Sequence, residues 1–188
     1  MRFRILKCAR HMLLPLCLAL LVSGCGQSPY MDEDAGPDSA LVFGHINMVE
    51  APVGLQWVSL KQTRPETGRP YFNFWVREGD FYSHYIPFGE FQFDSFGGQK
   101  KETKVNWVYR FPNSTQRPPN LTIRRPGLYY AGSWKYKRVT REFSKPGEFY
   151  LVKEENVSER EILKRMLPWL RHKKYKDMVE TRIRQLGD

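Results

Sequence analysis

Between residue 40 and about residue 152, short apolar segments alternate with glycine or proline at close intervals. The segments are rich in aromatic and β-branched residues, which suit the pleated surface of a β-sheet. No repeat of solenoid period is present. The pattern predicts eight or nine short strands with little helix between them, at residues 40–49, 55–62, 71–77, 81–85, 88–95, 105–111, 121–124, 128–139 and 149–152.

Two passages give these strands a more specific character. Residues 79–93 have the form G-x-F-x-x-x-x-I-P-x-G-x-F-x-F, and residues 122–134 place a second proline–glycine turn before an aromatic strand. In the first passage Pro87 fixes φ and Gly89 supplies a positive φ, so the turn is set locally. Phe91 and Phe93 then point to one face, which we expect to be the core.

The first passage resembles the hairpin of transthyretin-like or carboxypeptidase-regulatory-like sandwiches. The second resembles a strand of small bacterial lipoproteins of the same sandwich type. Together the two passages cover about a sixth of the chain after the leader. The resemblance implies a mainly β fold, an antiparallel, prealbumin-like β-sandwich, which we place at residues 40–153.

The period of the sequence changes after the last predicted strand. Ser158 and Glu161 fit a capping box, and Pro168 is expected to kink or end the helix that follows. Two apolar stripes have helical spacing: Ile162, Leu163, Met166 and Leu167, then Met178, Val179, Ile183 and Leu186. Residues 154–188 are therefore predicted to form a C-terminal α-helical hairpin that packs on the sandwich or carries a contact surface.

The first 24 residues are typical of a secretory leader, with a basic start and an apolar run from Met12 to Val22. The run ends in Val22-Ser23-Gly24-Cys25, which resembles the lipobox of bacterial lipoproteins. The resemblance implies lipid transfer to the Cys25 sulfur, cleavage before Cys25 and acylation of the new N-terminus. An ordinary secretory signal is the alternative. Residues 25–39 are polar and acidic, and they are predicted to be a flexible tether.

Gly26 stands at the position where an aspartate is associated with retention in the inner membrane. Its presence resembles the outer-membrane class of Gram-negative lipoproteins. We therefore expect a membrane-anchored lipoprotein of the cell envelope, in the outer membrane if the host is Gram-negative.

The three cysteines lie at positions 8, 17 and 25, and none follows. Two would leave with the leader and the third would carry lipid, so the mature chain would depend on core packing alone. This pattern excludes cysteine hydrolases, zinc–thiolate proteins and thiol oxidoreductases. Without the leader's four basic residues, 26 Lys and Arg face 20 acids, a net charge of +6 that favours anionic partners.

Two basic surfaces are candidate binding sites. Arginines and aromatic residues interleave on the strand near residues 124–141, which suits a glycan or another anionic polymer. The candidates there are Arg124, Arg125, Tyr129, Trp134 and Tyr136. A second basic run could contact anionic lipid head groups, or it could be a solvated helix junction. Its candidates are Arg171, Lys173, Lys174 and Lys176.

No phosphate loop, zinc motif or nucleophile elbow is present in the sequence, so we predict no catalytic residue, metal or cofactor. The leading hypothesis is a lipid-anchored envelope protein with a non-enzymatic binding or scaffolding role and an envelope protein as partner. One alternative is a module that binds envelope glycan or anionic polymer. Another is an envelope hydrolase that uses loop carboxylates or a histidine, such as His84 with Asp80 or Asp94. Export argues against nucleic acid as a partner.

Overall fold

The computed structural model of the protein describes residues 39–68, 70–112, 116–139 and 148–187. Within these ranges the chain forms ten strands, two α-helices and one 3-10 turn. The strands are β1 (Ala40–Asn47), β2 (Trp57–Arg64), β3 (Tyr71–Asn73), β4 (Trp75–Arg77), β5 (Asp80–Ile86), β6 (Gly89–Gln99), β7 (Asn106–Arg110), β8 (Leu121–Ile123), β9 (Leu128–Arg138) and β10 (Phe149–Lys153). The helices are α1 (Glu159–Met166) and α2 (Lys173–Gln185), with the 3-10 turn Leu167–Trp169 between them. Neither described helix is long and apolar enough to cross a membrane.

The strands form two sheets, which confirms the prediction of a mainly β fold. The first sheet has the order β10-β9-β1-β5-β4, and the second has the order β3-β2-β6-β7 with β8 on the start of β6. One pair departs from the predicted antiparallel arrangement, because β1 and β9 run parallel. The chain reaches β9 from β8 in the other sheet, so β9 begins at the same end as β1. The Leu41 amide accordingly donates to Gly127 O at 2.9 Å.

An aromatic core fills the space between the sheets. Phe81 of the first sheet meets Phe93 of the second edge-on, with ring centroids 5.9 Å apart. Tyr136 and Phe149 of the first sheet both lie 5.2 Å from the Tyr109 ring of the second. Such pairs each contribute about 0.5–1.5 kcal/mol beyond the area they bury. Phe91 and Phe93 are each 1% exposed, which confirms that they face the core.

The strand predicted at residues 71–77 is two strands in different sheets. β3 pairs with β2, and β4 pairs with β5. The chain crosses between the sheets at Phe74, whose amide donates to Val58 O at 3.0 Å. The Phe74 ring is buried against Phe81 and Phe93, at 5.3 and 5.9 Å between centroids. The aromatic alternation continues through the crossing, so the sequence pattern does not reveal it.

The predicted hairpin around Pro87 is also a crossing. β5 belongs to the first sheet and β6 to the second, and the two strands do not pair. Gly89 has a φ of +154°, as the turn requires, and a Cβ there would lie 2.5 Å from Arg64 O. The local turn chemistry was predicted correctly, and the partner of each flanking strand was not.

The two helices cover the outer face of the first sheet. The Ser158 hydroxyl accepts from the Glu161 amide, and the Glu161 carboxylate accepts from the Ser158 amide at 2.8 Å, which confirms the capping box. Pro168 lies in the 3-10 turn that ends α1. The buried residues of this second apolar cluster are Leu41, Phe43, Ile162, Leu163, Met166, Leu170, Tyr175 and Val179. The prediction that the helical hairpin packs on the sandwich is confirmed.

Gly97 provides a test of the packing between β6 and β7. A Cβ at Gly97 would lie 1.9 Å from Trp107 O, so the two strands would have to separate. We expect Gly97→Ala to lower the free energy of unfolding by about 2–4 kcal/mol in urea titrations. Gly54→Ala is the control, because a Cβ there meets nothing within 4 Å. Equal stability of the two variants would contradict the close approach of these strands.

Candidate functional site

A network of polar side chains joins the first sheet to α1, with two buried members on the sheet and an exposed arginine on the helix. His45 on β1 lies with its Nδ1 2.7 Å from Asp80 Oδ1 on β5. Arg165 on α1 donates from Nε and Nη2 to the two Asp80 oxygens, at 2.7 and 2.9 Å. His45 is 7% exposed and Asp80 is 6% exposed. We call His45, Asp80 and Arg165 the Asp80 network.

The contacts of the Asp80 network hold β1, β5 and α1 together. Burial alone would raise the pKa of Asp80, but hydrogen bonds and charge from Arg165 and His45 outweigh it and hold the pKa below its ordinary value. Ser133 lies opposite His45 in the sheet register, but its hydroxyl donates to Val157 O at 2.7 Å and contacts the Tyr130 hydroxyl. The network thus holds an ionised carboxylate between two partners, and the hydroxyl beside it is already engaged.

A small cavity of about 170 Å³ opens beside the Asp80 network. Its lining residues are Arg77, Glu78, Asp80, Tyr82, Arg165, Met166 and Trp169. The Arg77 guanidinium carbon lies 3.6 Å from the centre of the Trp169 ring, a close cation–π contact. Trp169 remains 49% exposed at the rim. We call this space the arginine cavity.

Ser39, the residue directly before β1, is hydrogen-bonded to Tyr175 of α2. The Tyr175 hydroxyl donates to Ser39 O at 2.9 Å and lies 2.7 Å from Ser39 Oγ. Both residues are buried, at 1% and 6% exposure. The chain that precedes β1 therefore reaches the domain beside the first turns of α2.

Two histidines lie next to this contact. The rings of His84 on β5 and His172, the N-cap of α2, are 4.7 Å apart between centroids, and both lie near the Tyr175 ring. Burial, and then the charge of His172, lower the pKa of His84 from 6.5 to about 4. His84 is therefore neutral at pH 7. The sequence hypothesis paired it with Asp80 or Asp94. Asp80 pairs with His45 instead, and Asp94 accepts from the Ser95 hydroxyl and lies 3.9 Å from Arg110.

The predicted head-group residues surround the start of α2, and we call them the α2 basic turn. Arg171, Lys173 and Lys174 are exposed, and Lys176 is half-buried. Lys173 bonds Asp177 at 2.6 Å, and Lys174 Nζ lies 5.3 Å from the Tyr175 ring centre. No acidic residue lies in the first turn of α2, and His172 makes no side-chain cap. The structure thus brings these four residues together beside the Ser39–Tyr175 contact.

The predicted polymer-binding residues do not form one surface. Trp134 is 5% exposed, with its Nε1 donating to Ala131 O, and Tyr136 is 1% exposed and stacked on Phe149. Neither ring can stack on a sugar in this structure, which corrects the prediction for these two residues. Arg124 and Arg125 lie in the turn between β8 and β9, and Tyr129 is the second residue of β9, with its hydroxyl donating to Arg125 O.

A larger groove of about 570 Å³ lies between α2, the start of α1 and β9. Its lining residues are Leu128, Tyr130, Glu159, Asp177, Met178, Thr181, Arg182 and Gln185. Arg182 crosses it and donates to both Glu159 oxygens, at 2.8 and 3.1 Å. The groove's main charged groups are therefore already paired with each other.

Sequence reasoning missed the Asp80 network and the arginine cavity. Their members come from β1, β4, β5 and the helical segment, up to 124 residues apart in the chain, and no short motif contains them. No cluster of three His, Cys, Asp or Glu suited to a metal is found among the residues that the structure describes. Cys25, the leader and nearly all of the predicted tether lie outside the described ranges.

Asp80→Asn tests the Asp80 network. The substitution removes the charge that both His45 and Arg165 use, so we expect the free energy of unfolding to fall by about 2–4 kcal/mol in urea titrations. Asp94→Asn is the matched control, since its partner Arg110 is exposed and 3.9 Å away. This control substitution should lower the free energy of unfolding by less than about 1 kcal/mol. A loss at Asp80 no larger than that at Asp94 would contradict the bracing role.

The histidine pair predicts a pH dependence of stability. Below pH 6.5 the unfolded chain protonates His84 while the native state, with a pKa of about 4, does not. Stability should therefore fall as the pH decreases from about 6.5 to 4, by on the order of 1–2 kcal/mol after allowance for partial exposure. Urea titrations at pH 7.5 and 4.5 measure the loss. The His84→Gln variant should lose less stability between these two pH values than the wild type. An equal loss of stability in this variant would contradict the assignment of the pH dependence to His84.

Comparisons with known proteins give no relative to guide the function. No family model matches the chain, and no curated protein or solved structure is detectably similar to it.

Proposed function

We propose that this chain is a lipid-anchored protein of the bacterial cell envelope with a non-enzymatic binding or scaffolding role. Lipid on Cys25 would hold it in the membrane, which is the outer membrane in a Gram-negative host. The α2 basic turn would rest on anionic lipid head groups. The paired sheets would form a prealbumin-like scaffold that leaves the other surfaces for an envelope partner.

The observation that carries the proposal is the Ser39–Tyr175 contact. It fixes the end of the tether next to the α2 basic turn. The 14 residues from Gly26 to Ser39 span on the order of 20 Å as a flexible coil. A lipid on Cys25 would therefore keep this side of the domain close to the bilayer.

The charge pattern of α2 supports the same orientation. The positive end of the helix dipole lies at the N-terminus, where acidic residues are favourable and cations are not. α2 has Lys173 and Lys174 there, and no acid in the first turn. An anionic surface outside the protein would compensate this local cost, at about 1 kcal/mol for each basic residue near it.

The prealbumin-like assignment is supported by the two sheets, which face each other over one aromatic core. The passage at residues 79–93 keeps the positive φ at Gly89, but it joins two sheets and does not form a hairpin. The parallel β1–β9 pair and the two helices on the outer face are additions to a simple antiparallel sandwich.

Cys25→Ser tests the anchor. We expect the variant to leave the membrane fraction and to lose metabolic labelling with a radiolabelled fatty acid, because only a thiol accepts the lipid. Cys17→Ser is the matched control, since this cysteine would be removed with the leader. Retention of both label and membrane association by Cys25→Ser would contradict the proposal.

A double variant tests the α2 basic turn. Removing two charges by Lys174→Gln with Lys176→Gln should weaken binding of a soluble form, starting at residue 26, to phosphatidylglycerol vesicles by about 30-fold. Vesicle sedimentation at low salt measures this. Lys100→Gln with Lys101→Gln, in the loop between β6 and β7, should change binding less than about twofold. Equal effects of the two pairs would show that only net charge matters and would contradict the proposed orientation.

A further inference from the structure

The arginine cavity contains more hydrogen-bond donors than its own acids use. Arg165 donates hydrogen bonds to Asp80 from Nε and from Nη2. Three of its five N–H donors are left for another acceptor. Arg77 stacks on Trp169 by its face, which leaves the N–H edges of its guanidinium free to point elsewhere. The nearest acid to Arg77, Glu78, is 3.9 Å away, beyond hydrogen-bond range.

A phenol adds to this set of donors. Tyr82 lines the cavity together with Arg77 and Arg165. Burial raises the pKa of Tyr82, and the positive charges of Arg171 and Arg77 act against that shift. The Tyr82 hydroxyl is therefore protonated at neutral pH and can donate a hydrogen bond.

The acids at the cavity do not occupy the remaining donors of Arg77 and Arg165. The Asp80 carboxylate already accepts two hydrogen bonds from Arg165 and contacts His45, so its charge is compensated within the Asp80 network. Glu78 is exposed on the turn between β4 and β5, where its side chain is 77% exposed. An oxyanion with several acceptor oxygens would satisfy the guanidinium edges at once, as bidentate phosphate contacts do.

We propose that the arginine cavity binds the phosphate of an anionic phospholipid head group, through Arg77, Arg165 and Tyr82. The volume of about 170 Å³ is below the range of about 300–1,000 Å³ for whole small-molecule sites, and suits a head group. Trp169, half exposed at the rim, is the residue type favoured where protein meets the bilayer interface.

The position on β5 favours lipid over soluble phosphate as the source. Asp80, Tyr82 and His84 lie in that order along the helix-facing side of β5, and His84 contacts His172 beside Tyr175. The cavity is thus one step along the strand from where the tether reaches the domain. This inference rests on the proposed membrane anchoring, and its test does not use the anchor.

Fluorescence of the full-length chain in neutral detergent micelles provides the test. Phosphatidylglycerol is titrated into the micelles and tryptophan emission is followed, with phosphatidylcholine and inorganic phosphate as separate titrants. We expect saturable binding of phosphatidylglycerol, with affinity reduced about tenfold in Arg77→Gln. Arg124→Gln, an exposed arginine outside the cavity, should change it less than about twofold. Trp169→Phe should remove most of the emission change.

Three results would overturn the assignment. Wild-type affinity in Arg77→Gln would show that the cavity is not the site. Equal affinity for phosphatidylcholine would show that the negative head group is not recognised. Inorganic phosphate that competes as strongly as the lipid would make this a site for soluble phosphate. Membrane fractionation of Cys25→Ser is read separately, so loss of the anchor and loss of the cavity site are distinguishable.

Discussion

Strand β1 is covered on both faces, and the rest of the structure depends on that. Ala40, Val42 and Ile46 point into the aromatic core between the sheets, while Leu41 and Phe43 lie under the helices. Every one of these side chains is fully buried. A strand buried on both sides needs a second sheet on one face and a helical layer on the other. The C-terminal helices are therefore part of the fold and not an appendage to a finished sandwich.

The helical layer brings polar residues of β5 under cover, and each of them meets a different partner. Asp80 is compensated by Arg165 from α1, Tyr82 faces the arginine cavity, and His84 meets His172 at the start of α2. An unpaired charge at Asp80 would cost several kcal/mol, so the position of α1 is fixed by electrostatics as well as by apolar packing. Because α1 is held in this way, the turn that carries Trp169 and the start of α2 are placed over β5.

The sequence predicted local features well and long-range ones poorly. Most strand positions, the capping box at Ser158 and the core-facing side of Phe91 follow from rules that act within a few residues. The crossing at Phe74 leaves alternation intact and so is invisible. On β9, the prediction that Trp134 and Tyr136 belong to a binding surface was wrong for a specific reason. Gly132 has a φ of +92° and the pairing with β1 shifts register there, so the alternation reverses and Trp134 turns into the core.

The proposed anchoring changes what affinity the arginine cavity needs. With the predicted tether of about 20 Å and a lipid on Cys25, the local lipid concentration would be in the millimolar range, so a weak head-group site would be filled by proximity alone. Weak contacts would then set orientation, while the lipid on Cys25 would set attachment. This division would account for the basic side chains at the unfavourable end of the α2 dipole. Their cost to the isolated helix is a few tenths of a kcal/mol each, and a nearby anionic surface returns more than that.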